Sequence, residues 1–190
     1  MRKLSKEAKS NLIFIGIILV LWLTGWYRPI MSTLQRGIIA TGIIQPKTND
    51  NFDGGIAEAF LLDENDKPMM LSDLRGKVIF LNVWATWCPP CKAEMPGIQD
   101  LYDAVKSQDI AFVMLSTDQN FDKAKAYKKE NSFTFPIYQL RQDLPPELES
   151  SAIPATFVID KTGRIKMKHA GMAKYNSDKF KNFLKELNKA

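Results

Sequence analysis

Residues 78–98 read VIFLNVWATWCPPCKAEMPGI, and the fold follows from how this stretch changes character part-way along. Its opening, residues 78–84, is almost continuously apolar. A short run of this kind suits a strand covered on both faces of a sheet. Beyond it, Met95, Ile98, Leu101, Tyr102 and Val105 recur at the spacing of one helix face. Pro96 interrupts that pattern and predicts a kink. Both cysteines of the chain, Cys88 and Cys91, stand at the junction of strand and helix.

Working outward, residues 110–116 (IAFVMLS) read as a second buried strand and 121–130 as a short lysine-rich helix. Residues 135–140 suit a further strand or an extended segment. Pro145 and Pro146 can open a short helix, since proline is tolerated in a first helical turn. Residues 155–159 (ATFVI) form a strand, and a turn at 160–163 returns the chain antiparallel through 164–169. The C-terminal segment is amphipathic, with Phe180, Phe183, Leu184 and Leu187 on one face and Asn176 or Ser177 as its cap. On the N-terminal side, 57–62 and 68–71 flank a polar DENDK and predict a hairpin, and 71–76 (LSDLRG) a single helical turn. The whole is an α/β domain with a mixed sheet, over residues 56–190.

Composition narrows the function. The chain has 190 residues, 45% hydrophobic and 25% charged, a globular balance. Two cysteines exclude a disulfide-rich scaffold and a four-cysteine zinc site, and one histidine argues against a His-based metal centre. The +5 net charge belongs to residues 1–44, which hold six Lys/Arg and one acid. The remainder holds twenty of each sign, so nothing favours nucleic acid as a partner.

Arg2, Lys3, Lys6 and Lys9 precede an uncharged run at 12–27, LIFIGIILVLWLTGWY, with Trp22, Trp26 and Tyr27 clustered at its far end. This reads as a short uncleaved signal anchor. A cleaved signal peptide or a buried helix is the competing reading. Positive charge ahead of the run places residues 1–11 in the cytoplasm and the remainder outside. Residues 28–55 read as a tether, with Ile38, Ile39, Ile43 and Ile44 resting on the membrane or packing on the domain; 45–55 is a polar linker.

Cys88 and Cys91 are one helical turn apart, so their sulfurs can bridge. Cys88 lies at the helix N-terminus, where free N–H groups and the helix dipole stabilise a thiolate. It is the natural nucleophile, with Cys91 the resolving thiol. Zinc lacks two further ligands, and c-type haem attachment would need histidine where Lys92 stands. A static disulfide closing so small a loop constrains the unfolded chain little.

The string from Val83 to Lys92, the helix proline Pro96 and the later Ile153-Pro154-Ala155-Thr156 together resemble the thioredoxin superfamily. With the LSDLRG stretch and the N-terminal anchor, the chain is most similar to TlpA/ResA-like extracytoplasmic thioredoxins. The resemblance implies a thioredoxin-like fold in which helices flank a central mixed sheet, with an inserted helix and strand at 121–140. It implies Cys88 as attacking thiol, Cys91 as resolving thiol and Pro154 as a cis-proline that, with Ile153, binds an extended substrate segment. It implies Glu94 as an acid that raises thiol pKa values and relays protons, and Trp87 as part of the docking surface. Trp84 resembles a second active-site tryptophan. One departure is plain. Thioredoxin carries a buried Asp six residues before its first cysteine; here that residue is Asn82, which cannot act as a base.

Pro89 and Pro90 offer no N–H to a Cys88 thiolate, and Glu94 opposes the anion. A comparatively reducing pair is expected, as the resemblance also implies: a reductase of client protein disulfides, one known use being cytochrome c maturation. A membrane thiol protein is then the electron donor. No metal and no cofactor beyond the redox-active disulfide is expected, and the protein is expected to be monomeric. The alternatives are a disulfide-donating oxidant and a peroxiredoxin-type thiol peroxidase. The latter needs threonine three residues before the reactive cysteine, where this chain has Ala85.

Overall fold

The computed structural model describes residues 6–25, 27–46, 58–106, 109–140 and 144–190. The basic residues Arg2 and Lys3, Trp26 and most of the expected linker lie outside these ranges. Seven strands form one sheet: β1 (Phe60–Asp63), β2 (Pro68–Met70), β3 (Val78–Trp84), β4 (Ile110–Ser116), β5 (Ile137–Leu140), β6 (Ala155–Ile159) and β7 (Ile165–Ala170). Their order across it is β2-β1-β5-β4-β3-β6-β7. β3 runs parallel to β4 and β4 parallel to β5, while β6, β7 and the β1–β2 hairpin are antiparallel to their neighbours.

β3 sits inside the sheet and is buried at every residue, as its continuous apolar run requires. Its side chains alternate between two cores. Val78, Phe80 and Trp84 join the first, with buried residues of α3 (Pro89–Val105), α4 (Phe121–Glu130) and α5 (Asp178–Lys189). Ile79, Leu81 and Val83 join the second. That second core is closed by Leu71 and Leu148, which lie in 3-10 turns at Leu71–Leu74 and Pro146–Leu148. These are the single helical turn expected at 71–76 and the short helix expected at Pro145 and Pro146, while the core-forming residues of α3, α4 and α5 all join the first core. The two turns are too short to become α-helices.

The inserted segment 121–140 gives α4 and β5, and β5 joins the parallel strands to the N-terminal hairpin. Ser177 caps α5, accepting from Phe180 N at 3.3 Å, whereas Asn176 donates to Asp100 at 3.0 Å.

The N-terminal region departs most from the sequence reading. α1 (Lys6–Thr24) ends within the expected aromatic belt, two residues past Trp22, because Gly25 takes a φ of 72° that breaks the helix. Among the described residues, no helix is long and apolar enough to cross a membrane. The expected tether contains a second helix, α2 (Tyr27–Ala40), docked on α3. Pro96 supplies a reason for the docking. It lacks the N–H that would bond Lys92 O one turn earlier, and Arg36 Nη2 of α2 reaches that carbonyl at 3.5 Å. Ile39 is buried and Ile44 packs on the first core, while Ile38 and Ile43 stay exposed.

Candidate active site

α3 begins at the cysteines because Cys88 is its N-cap and Pro89 and Pro90 fill the first two helical positions. Those prolines remove two of the three backbone donors that a helix start would offer. The remaining one, Cys91 N, lies 3.3 Å from Cys88 Sγ. Cys88 and Cys91 form a disulfide, and both are buried. Cys88 Sγ lies 3.7 Å from the carbonyl oxygen of Ile153. The Ile153–Pro154 peptide is cis, as expected. Trp87 is 55% exposed on the rim, whereas Trp84 is a core residue with its ring 6.0 Å from that of Tyr127. Lys92 lays its Nζ 4.6 Å from the Tyr127 ring centroid.

The loop before the cysteines is held by Asp118. Its carboxyl accepts from Thr86 N at 2.9 Å, Thr86 Oγ1 at 2.6 Å and Ser116 Oγ at 2.9 Å. This fixes the approach to Cys88 from the end of β4.

Glu94 lies one turn past Cys91 and is buried. It faces a polar chain inside the first core. Asn82 Nδ2 donates to Glu94 Oε1 at 2.7 Å and to Thr156 Oγ1 at 2.9 Å. Tyr175 OH donates to Thr156 Oγ1 at 2.7 Å, and Ala173 N to Glu94 Oε2 at 3.2 Å. Burial pushes the Glu94 carboxyl up to about 8, against the Asn82 and Ala173 donors, which pull it down. The Tyr175 phenol is raised well above its ordinary value, by burial first and the Glu94 charge second. Glu94 therefore exchanges a proton near the pH at which an ordinary thiol does.

Asn82 explains how the site tolerates both forms of that carboxyl. Its Oδ1 is buried without a hydrogen-bond partner. In the arrangement seen, the amide N–H serves an ionised Glu94. Turned over, the amide presents Oδ1 to a protonated Glu94 and to the Thr156 hydroxyl. Asn82 is not a base, but it can match either state of one.

A model of the AhpC/TSA family matches residues 54–168. The chain belongs to this family. Its relatives include the thiol-disulfide oxidoreductase ResA of Geobacillus kaustophilus, 36% identical over 115 residues, 60% of this chain and 66% of that protein. The ResA protein of Bacillus thuringiensis is 28% identical over 158 residues, covering 83% of this chain and 87% of the relative. Among solved structures, a Chlorobium tepidum protein assigned as thiol:disulfide interchange protein DsbE matches with a TM-score of 0.63 at 21% identity. That match covers 73% of this chain and 98% of the other, and it supports the fold alone. The chain is a ResA-like member of the thioredoxin superfamily.

Of the residues singled out in the sequence, Cys88, Cys91, Ile153 and Pro154 meet at one place. Glu94 lies beneath them and Trp87 at the edge. Thr86, Asp118, Thr156, Ala173 and Tyr175 were not anticipated. Thr156 had a signal: a polar residue inside the apolar ATFVI strand, paired across the sheet with Asn82. Asp118 and Tyr175 had none, because only the folded chain brings them to the site.

Proposed function

We propose that this thiol-disulfide oxidoreductase works as a membrane-anchored extracytoplasmic reductase of protein disulfides. The observation that carries the reading is the cysteine pair at the start of α3. There, a single backbone donor faces Cys88 and a buried carboxyl lies one turn beyond Cys91. In the reduced protein, the Cys88 thiolate attacks a client disulfide. A Cys88–client bond forms and one client thiolate leaves. Cys91 gives up its proton and attacks Cys88, forming the Cys88–Cys91 disulfide and releasing the second client thiolate. Two electrons pass to the client. Glu94 takes the Cys91 proton in this reading, which is supported by its burial one turn beyond Cys91 and by a proton affinity close to that of a thiol. Ile153 and Pro154 offer backbone to an extended client segment, with Trp87 packing beside it. A membrane thiol protein returns the electrons. An apocytochrome c is the client class implied by the resemblance, and the protein acts as a monomer.

Anchoring is supported by α1. Leu12, Ile13, Phe14, Ile15, Ile17, Ile18, Leu19, Val20, Trp22 and Leu23 are 51–67% exposed, on every side of the helix. Water is a poor partner for such a surface and lipid a good one. The helix is short, so Lys6 and Lys9 snorkel or the bilayer thins locally.

The test is turnover of a disulfide-bonded model peptide by the reduced protein. Loss of all reduction in Cys88→Ser and arrest at a covalent mixed disulfide in Cys91→Ser are expected. Reduction that survives Cys88→Ser would overturn the assignment.

A further inference from the structure

We propose that α2 is a surface-lying helix whose apolar stripe rests in the headgroup region of a phospholipid bilayer and holds the catalytic domain at a set attitude to the membrane. The proposal rests on the anchoring of α1 put forward above. Ile30, Leu34 and Ile38 are spaced four residues apart, and Met31 lies beside them on the same face. All four are exposed, by 43–60%. The side of α2 turned to the domain instead carries Ser32, Ile39 and the half-buried Gln35. An amphipathic helix that merely packed on a domain would turn its most apolar stripe inward. This helix docks by a mixed face and leaves the greasier one uncovered.

Continuity along the chain identifies what covers it. Only Gly25 and Trp26 separate α2 from α1, and α1 is apolar and exposed all round. Where α1 leaves the hydrocarbon, α2 starts at the interface. Ile43, 83% exposed, carries the apolar surface past the helix end. Between Glu7 and Asp50 the sequence contains no acidic residue, while Lys9, Arg28, Arg36 and Lys47 are basic. An anionic headgroup layer therefore meets no like charge.

The domain side of the contact is firm. Arg36 donates to the Lys92 carbonyl that Pro96 leaves open. Lys174 Nζ donates to Ala40 O at 3.1 Å, and Lys174 N to Ile44 O at 2.9 Å. The same α3 that carries Lys92 carries the cysteines. A helix fixed to the bilayer on one side and to α3 on the other limits how the cysteine pair can turn relative to the membrane.

The experiment uses the full-length oxidised chain, in which the Cys88–Cys91 bridge does not react with a thiol label. Single cysteines at Ile18, Ile30, Thr33, Leu34 and Ile38 carry nitroxides, each in its own variant. The protein is reconstituted into phosphatidylglycerol–phosphatidylethanolamine vesicles. Collision with oxygen reports lipid, and collision with a water-soluble nickel chelate reports water. The expected result is a several-fold higher oxygen-to-nickel ratio at 30, 34 and 38 than at 33. Water-like values at 34 and 38 with lipid-like values at 18 would overturn the surface helix and leave the anchor standing. Water-like values at 18 as well would overturn the anchor and the surface helix with it. Protection from both reagents at 34 and 38 would mean a protein partner or second copy covers the stripe, and would overturn lipid as the occupant.

Discussion

Replacing Glu94 with glutamine should change the pH dependence of stability in a defined direction. The native carboxyl binds its proton up to about pH 8, against an ordinary value of 4.5. The native state thus holds a proton that the unfolded chain has already released between these values. Stability tied to Glu94 is complete below about pH 4.5 and is lost as pH rises to about 8, beyond which the loss is constant. The interval corresponds to about 5 kcal/mol in all, of which about 3 kcal/mol is gone by pH 7. Glu94→Gln keeps the shape and removes the titration. Its amide can donate to Asn82 Oδ1, now without a partner, once the Asn82 amide turns over, while its carbonyl accepts from Ala173 N. Urea unfolding of the oxidised full-length chain in detergent micelles, followed by tryptophan fluorescence, gives the stability of each form from pH 4 to pH 9. Other titrating groups contribute to both profiles and cancel in the difference. The variant should gain on the parent steadily as pH rises to 8 and then hold its lead. A difference that stays flat within about 1 kcal/mol across that range would refute the reasoning about Glu94.

Further expectations concern its neighbours. Asp118→Ala strands Thr86 N, Thr86 Oγ1 and Ser116 Oγ, and should cost about 1–3 kcal/mol and speed reduction of the disulfide by dithiothreitol, measured by stopped-flow fluorescence. Thr156→Val removes the acceptor of both Asn82 Nδ2 and Tyr175 OH, and should cost about 1–3 kcal/mol for each stranded donor, read from the same urea curves. Pro90→His returns a backbone N–H and adds a basic ring near Cys88, so the pair should become more oxidising, by about 30 mV for each ~1.4 kcal/mol of thiolate stabilisation, in glutathione equilibration. The wild-type protein should not consume hydrogen peroxide catalytically, because Ala85 stands where a peroxidase needs threonine.

Much of the domain was legible because its signals are local. The apolar run at 78–84 and the periodicity from Met95 onward encode β3 and α3 within a few residues of their observed limits. The two-cysteine spacing and the Ile153–Pro154 pair pointed to the same place from opposite ends of the domain. Glu94 was legible as one turn beyond Cys91, but its burial was not. That depends on Asn82, Thr156 and Tyr175 arriving from β3, β6 and the segment before α5. α2 was read as part of a tether, although Ile30, Leu34 and Ile38 recur at the spacing of one helix face. Its docking needs the carbonyl that Pro96 frees on another helix, a relation invisible along the chain.

The central claim is that the cysteine pair is poised to give electrons. The most direct test is the reduction potential of Cys88–Cys91, measured on the full-length chain by equilibration with thiol redox buffers. A value near that of thioredoxin, about −270 mV, is the result expected for a single-donor thiolate site. A value near about −120 mV, as in a strong oxidant, would contradict the direction of electron flow argued here.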